Sequence, residues 1–245
     1  PRADYAQFHK AISYGYIRQD TRKIEELNSF LNKFSKSTYR DDVYYVLANE
    51  YVDIGENQNA LEKYDFLIDN FRRSPLVSKA MLKKGIVYYN TDRNEQALNT
   101  YKTIVSRFPN TPEAKQAVAS ARRIYVDLGR VDEYADWVSR IDFVNVTDSD
   151  LDNDMFESAE KQYLQNNHKN AISGFQKYLS RFPRGLYTLK SNFYLAESLY
   201  ANNQKIETIP HYSYVIQKEQ GENTEQSLSR LAQAYLENDD WKKAT

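Results

Sequence analysis

The chain has 245 residues, 33 Lys plus Arg against 34 Asp plus Glu, no cysteine, and only 7 glycines and 6 prolines. So even a charge balance offers no basic field to gather a phosphate backbone, which argues against nucleic acid as a partner. The lack of cysteine excludes disulfides and thiolate metal sites. Sparse glycine and proline argue against a sandwich, a barrel or a long linker, and no apolar run reaches the roughly 18–20 residues of a membrane helix.

Taken in chain order, the apolar residues fall into helical pairs. In the first pair, Ile24, Leu27, Phe30, Leu31 and Phe34 precede Leu61, Tyr64, Leu67, Ile68 and Phe71 of the second by 37 residues each. The second pair carries Tyr44, Leu47, Ala48 and Tyr51, a turn at Gly55, and then Ala60 and the stripe just given. In the third, Met81, Leu82, Gly85, Ile86, Tyr88 and Tyr89 form one helical face. Asn90-Thr91-Asp92 then makes a turn, Ala97, Leu98, Tyr101, Ile104, Val105 and Phe108 form the second stripe, and Pro109 and Pro112 end it.

The fourth pair departs from the pattern. Tyr125 and Gly129 hold their places, but Tyr134 stands for the alanine and Val138 for the aromatic. A short second helix is expected there, then an irregular, hinge-like connection over 142–154. The fifth pair has Ala159, Tyr163, Asn166-Asn167, Ala171, Phe175, Leu179 and Phe182-Pro183. The sixth has Phe193, Ala196, Tyr200, Asn202-Asn203, Tyr212, Val215 and Ile216, with Pro210 in the first turn of its second helix, where a missing N–H costs little. The seventh has Leu228, Leu231, Ala232 and Tyr235, then Trp241 and Ala244.

One tyrosine marks each pair: Tyr14, Tyr51, Tyr88, Tyr125, Tyr163, Tyr200 and Tyr235, at separations of 37, 37, 37, 38, 37 and 35. Such a period signals an array in which each unit buries its apolar face on the next. These rings are therefore expected in the core. The fold class read from the pattern is all-α, a right-handed α-solenoid of about seven helix-turn-helix units. Units one to four occupy 1–141 and units five to seven 155–245, in one continuous superhelix.

The spacing Tyr51/Ala60/Tyr64 and Tyr88/Ala97/Tyr101, with Asn238-Asp-Asp-Trp-Lys-Lys-Ala244 at the end, resembles the tetratricopeptide repeat family over essentially the whole chain. The longer period and the endings Ser106-Arg107-Phe108-Pro109 and Ser180-Arg181-Phe182-Pro183 are similar to the envelope-type members of Gram-negative bacteria. Gly129-Arg-Val-Asp-Glu-Tyr-Ala-Asp-Trp137 is similar to a unit of large multi-repeat proteins of the Bacteroidetes. That resemblance implies a periplasmic, outer-membrane-associated setting. The alternative is a cytoplasmic regulatory or sensor region of a larger signalling protein.

No constellation suggests catalysis. Asp148, Asp150, Asp152 and Asp154 alternate like the start of a calcium loop, but Asn153 stands where glycine is needed and Ala159 where the bidentate glutamate is needed. They are expected instead to favour a helix N-terminus. His9, His168 and His211 lie far apart. There is no glycine-rich phosphate loop and no nucleophile elbow. No enzyme activity, metal or cofactor is expected.

The family resemblance implies that first helices line a concave groove, and fixed offsets from the marker tyrosine place Tyr45, Asn49, Ile86, Tyr89, Arg123, Lys161, Tyr194 and Ser198 in it. The expected work is non-catalytic, a scaffold whose groove grips a protein or peptide. No nucleic acid and no membrane insertion are expected. Because the chain starts at Pro1 without Met and stops as a helix begins, it is expected to be part of a longer or processed protein, with self-association through the cut seventh unit.

Overall fold

In the computed structural model, residues 3–218 and 221–237 are described. Among them are thirteen α-helices and a short 3-10 turn, with no strand. The helices are α1 (Ala3–Tyr16), α2 (Asp20–Lys33), α3 (Arg40–Asp53), α4 (Asn57–Asn70), α5 (Val77–Asn90), α6 (Asn94–Arg107), α7 (Pro112–Asp127), α8 (Val131–Val138), α9 (Asp148–Leu164), α10 (His168–Arg181), α11 (Thr188–Ala201), α12 (Ile209–Lys218) and α13 (Glu222–Glu237). The chain is of the all-α solenoid class, and it divides into two compact units, Pro1–Ala121 and Arg122–Thr245.

In the N-terminal unit, α1 packs on α2, α3 on α4 and α5 on α6, and each pair adjoins the next through α2–α3 and α4–α5. In the C-terminal unit α9 packs on α10, α10 on α11, α11 on α12 and α12 on α13.

Every hairpin turn uses one device. Arg18, Gly55, Asp92, Gly129, Asn166 and Asn203 have positive φ, between 54° and 80°. The N–H of the following residue reaches back to the carbonyl of Tyr14, Tyr51, Tyr88, Tyr125, Gln162 or Leu199, at 2.8–2.9 Å. The N–H of the left-handed residue itself bonds the carbonyl one position later (Gly55 to Val52, 3.0 Å). Together these two bonds form a Schellman motif that satisfies the carbonyls left open at a helix end. The left-handed positions recur at 37 residues without exception, including across the fourth unit.

That constancy corrects the tyrosine register. Tyr14, Tyr51, Tyr88 and Tyr125 supply the Schellman carbonyl, but in the fifth and sixth hairpins Gln162 and Leu199 do so. Tyr163 and Tyr200 therefore stand one residue, about 100° of helix rotation, away from the earlier four.

The core expectation for the marker rings is corrected too. Of the seven, Tyr125 alone is buried; the others are half-buried. Several are roofed by cations: Tyr88 by Lys84 and Arg93 (both 5.4 Å to the centroid), Tyr14 by Lys10 and Arg22, Tyr125 by Arg130. A ring in the last turn before a hairpin bend has neighbours on one side only, except Tyr125, against which Tyr134 and Trp137 of α8 pack with centroids 6.1 and 6.4 Å away. The buried tyrosines are mostly those of the second helices, Tyr64, Tyr101, Tyr134, Tyr178 and Tyr212, together with Tyr44 and Tyr125 of the first. Small residues make room for them: a Cβ on Gly85 would come within 2.4 Å of the Tyr101 ring.

In the fourth hairpin α8 is short, as expected, but the irregular segment is shorter than 142–154 because α9 begins at Asp148. The cause is a capping box: the Thr147 hydroxyl accepts from Asp150 N–H, and the Asp150 carboxylate accepts from Thr147 N–H. Pro210 lies in the first turn of α12, while Trp241 and Ala244 fall outside the described residues.

Candidate functional site

The four alternating aspartates are each committed to structure. Asp148 and Asp150 open α9. Asp152 accepts from the Tyr178 hydroxyl and from Leu186 N–H, pinning the loop after α10. Asp154, 1% exposed, takes a bidentate grip from Arg122 (2.6 and 2.8 Å), a geometry suited to the planar guanidinium. Among the described residues no group of His, Asp and Glu could hold a metal.

Read by turn register, the first-helix positions six residues before each left-handed residue are Ile12, Asn49, Ile86, Arg123, Glu160 and Glu197. Asn49 and Glu197 confirm the equivalence. Tyr64 hydroxyl donates to Asn49 Oδ1 (2.6 Å), and Tyr212 hydroxyl donates to Glu197 Oε1 (2.5 Å). Those two tyrosines lie nine residues after their turns, and their donors and acceptors match pairwise.

In the N-terminal unit, Tyr45, Asn49, Ile86 and Tyr89 are all half-buried on α3 and α5. The Tyr45 ring sits 6.4 Å from that of Tyr64. Burial, relieved in part by a bond with Ser120 and augmented by nearby Tyr89, pushes the Tyr101 phenol up to about 12. The face is aromatic and uncharged at these positions.

In the C-terminal unit Arg123 is exposed, and Lys161 is tied to Asp127 (2.5 Å). Tyr194 is half-buried and stacks on Tyr163 with centroids 4.6 Å apart. Ser198 is the exception to the groove set: it is fully buried, its hydroxyl spent on the Tyr194 carbonyl (2.7 Å). The one-residue shift of Tyr200 explains this, since Ser198 shares its place with buried Glu50, Val87 and Ile124.

Two residues on this face escaped the tyrosine count, Glu160 and Glu197, and Tyr163, counted there as a core ring, is half-buried beside them. The spacing of Gly55, Asp92, Gly129, Asn166 and Asn203 is the signal that finds them. Burial, followed by the charge of Glu197, raises the Tyr163 phenol. Burial and then Glu160 do the same for Tyr194. The rings are therefore neutral at physiological pH and lie beside two carboxylates. A separate cavity of about 170 Å³, lined by Gly129, Met155, Ser158, Gln162 and Gly174 among others, opens among α8, α9 and α10.

Residues 79–111 match the tetratricopeptide repeat family model. Among solved structures, a tetratricopeptide repeat protein from Parabacteroides merdae aligns over 100% of this chain and 90% of its own, at 14% identity and TM-score 0.51. The TPR2AB domain of yeast Sti1, solved in a complex with pHSP90, aligns over 98% and 86% at 15% identity and TM-score 0.48. The C-terminal part of a TPR repeat-containing protein from Cytophaga hutchinsonii aligns over 97% and 91% at 17% identity and TM-score 0.44. Likeness at this level of identity concerns the fold. Comparison with curated proteins gives no match.

Proposed function

We propose that this tetratricopeptide-repeat chain is a non-catalytic scaffold that binds a protein or peptide along its first helices, within a periplasmic, outer-membrane-associated complex. Tetratricopeptide repeats as a class serve as protein-binding scaffolds. The observation that carries the reading is the repeated turn. It holds half-buried rings (Tyr45, Tyr89, Tyr163, Tyr194) and the amide of Asn49 on first helices, the amide anchored by the Tyr64 hydroxyl and Tyr163 and Tyr194 stacked on each other. Side chains held in this way lose little freedom when a partner docks, and aromatic anchors are the residues that dominate interfaces. The envelope setting draws on the 37-residue period and the Phe-Pro endings, and the structure is neutral on it.

The test is cross-linking capture from fractionated cells of the source organism, with the chain beside a Tyr45/Tyr89/Tyr194→Ser version whose helicity is unchanged. Envelope proteins captured by the first and lost by the second support the reading. Equal capture by both refutes the first-helix face as the working surface. A cytoplasmic set sensitive to the substitutions refutes the compartment while leaving the scaffold.

A further inference from the structure

We propose that the first-helix face of the C-terminal unit selects a cationic peptide, with a Lys or Arg side chain lying on the Tyr163–Tyr194 stack between the carboxylates of Glu160 and Glu197. The inference rests on the scaffold reading above and narrows it to one partner chemistry.

The rings form a stacked column that ends at Tyr163, so the face a cation can meet is the outer face of the Tyr163 ring. Tyr163 and Tyr194 are tilted by 24° to each other, and the column continues from Tyr194 to Phe156 and from Phe156 to Tyr187, the last pair 4.2 Å apart and 10° from parallel. Faces of such rings attract ammonium and guanidinium groups, more strongly when partly shielded from water. This chain already uses the contact: the Arg230 guanidinium lies 3.7 Å from the Tyr200 centroid.

Glu160 and Glu197 occupy the same place in successive hairpins, 37 residues apart. Neither forms an ion pair among the described residues. Glu197 receives two neutral donors, the Tyr212 hydroxyl and Gln226 Nε2 (2.8 Å), which fix its direction without pairing its charge. Lys161 is paired with Asp127, Arg122 with Asp154 and Lys205 with Glu237, while Arg230 lies over the Tyr200 ring and its charge reaches the Tyr212 hydroxyl on the α13 side. Arg123 holds the equivalent place one hairpin earlier and bounds the acidic stretch on that side. On α11, Lys190 stands two turns before Glu197, about 10 Å along the axis. In the N-terminal unit the same places hold Asn49 and Ile86, so the charge preference belongs to the C-terminal unit.

Three labelled peptides of equal length, alternating Ala with Lys, Gln or Glu, are titrated by fluorescence anisotropy against the whole chain. Glu160→Gln and Glu197→Gln variants are run alongside; the second keeps an acceptor for Tyr212. The Lys peptide is expected to bind tightest, each variant to weaken it about threefold to fivefold, and added salt to weaken it further, as for partly exposed ion pairs. The Gln peptide should bind both variants as it binds the parent. Equal affinity for Lys and Gln peptides, or a preference for Glu, overturns the charge selection and leaves the scaffold reading standing. No binding of any peptide overturns both. A Lys preference that survives both substitutions places the cation elsewhere and overturns this site.

Discussion

Gly85→Ala isolates the contact that lets a first helix approach a second. The added Cβ would lie 2.4 Å from Tyr101 Cε1, 2.9 Å from Cζ and 3.0 Å from Cδ1, whereas ordinary contact begins near 3.4 Å. Tyr101 is 1% exposed, so its ring must retreat by about 1 Å into packed neighbours. Overpacking of this kind costs about 1–3 kcal/mol. Replacing a mid-helix glycine by alanine returns about 0.5–1 kcal/mol of backbone entropy. The net expectation is a loss of about 1 kcal/mol, read as a lowered urea midpoint by far-UV circular dichroism. In a Tyr101→Leu background the clash is gone, and the same substitution should become stabilising. The sign change is the signature, because contacting residues couple and distant ones add. Equal effects in the two backgrounds would refute the packing argument, whatever their size.

Three further outcomes follow from the geometry. Arg18 holds φ 54° without the freedom of glycine, so Arg18→Gly should stabilise by about 0.5–1 kcal/mol, read as a raised urea midpoint; Gly55→Ala, at φ 80° with open space around it, should destabilise by about 1 kcal/mol and lower it. Arg122→Met strands the buried Asp154 carboxylate and should cost about 3 kcal/mol by the same assay, the low end for such pairs because the arginine is partly exposed. Burial lowers the pKa of His211 below its ordinary 6.5, and its Nδ1 lies 2.9 Å from Asn192 Oδ1, an acceptor that the neutral ring can donate to. Between that lower folded value and 6.5 the unfolded chain binds the extra proton. The His211 contribution to stability is therefore complete above this window and lost as pH falls through it. The difference in midpoint between the parent and His211→Gln should shift accordingly between about pH 7.5 and pH 5.

The helical pairs, the turns after the first and the weak second helix of the fourth unit were legible in the sequence, because apolar spacing and turn chemistry repeat together; the first turn, with Arg18 in the left-handed place, carried no Gly or Asn to mark it. The face of each first helix was legible only in part. Tyrosine is amphipathic, and a ring one position around the helix still finds something to pack on; Tyr163 and Tyr200 thus preserved the look of a 37-residue ladder while changing register. The left-handed turn has no such tolerance, since shifting it breaks two backbone hydrogen bonds. It is the better ruler, and it moves the candidate positions from Lys161 and Ser198 to Glu160 and Glu197. The α9 start at Asp148 was hidden for another reason. The capping box uses Asp150 where Glu or Gln is usual, so the aspartates read as an acidic approach to the helix and not as its first turn.

The central claim is that a partner contacts first helices in the register set by the turns. A photo-crosslinking residue placed in turn at Tyr194, Glu197 and Ser198 tests it most directly, with a captured envelope protein or the Lys-Ala peptide as target. The account predicts adducts from positions 194 and 197 and none from 198, which points into the core. Adducts from 198 with none from 197 would contradict the turn register. The absence of adducts from all three, with binding retained, would contradict the first-helix face itself.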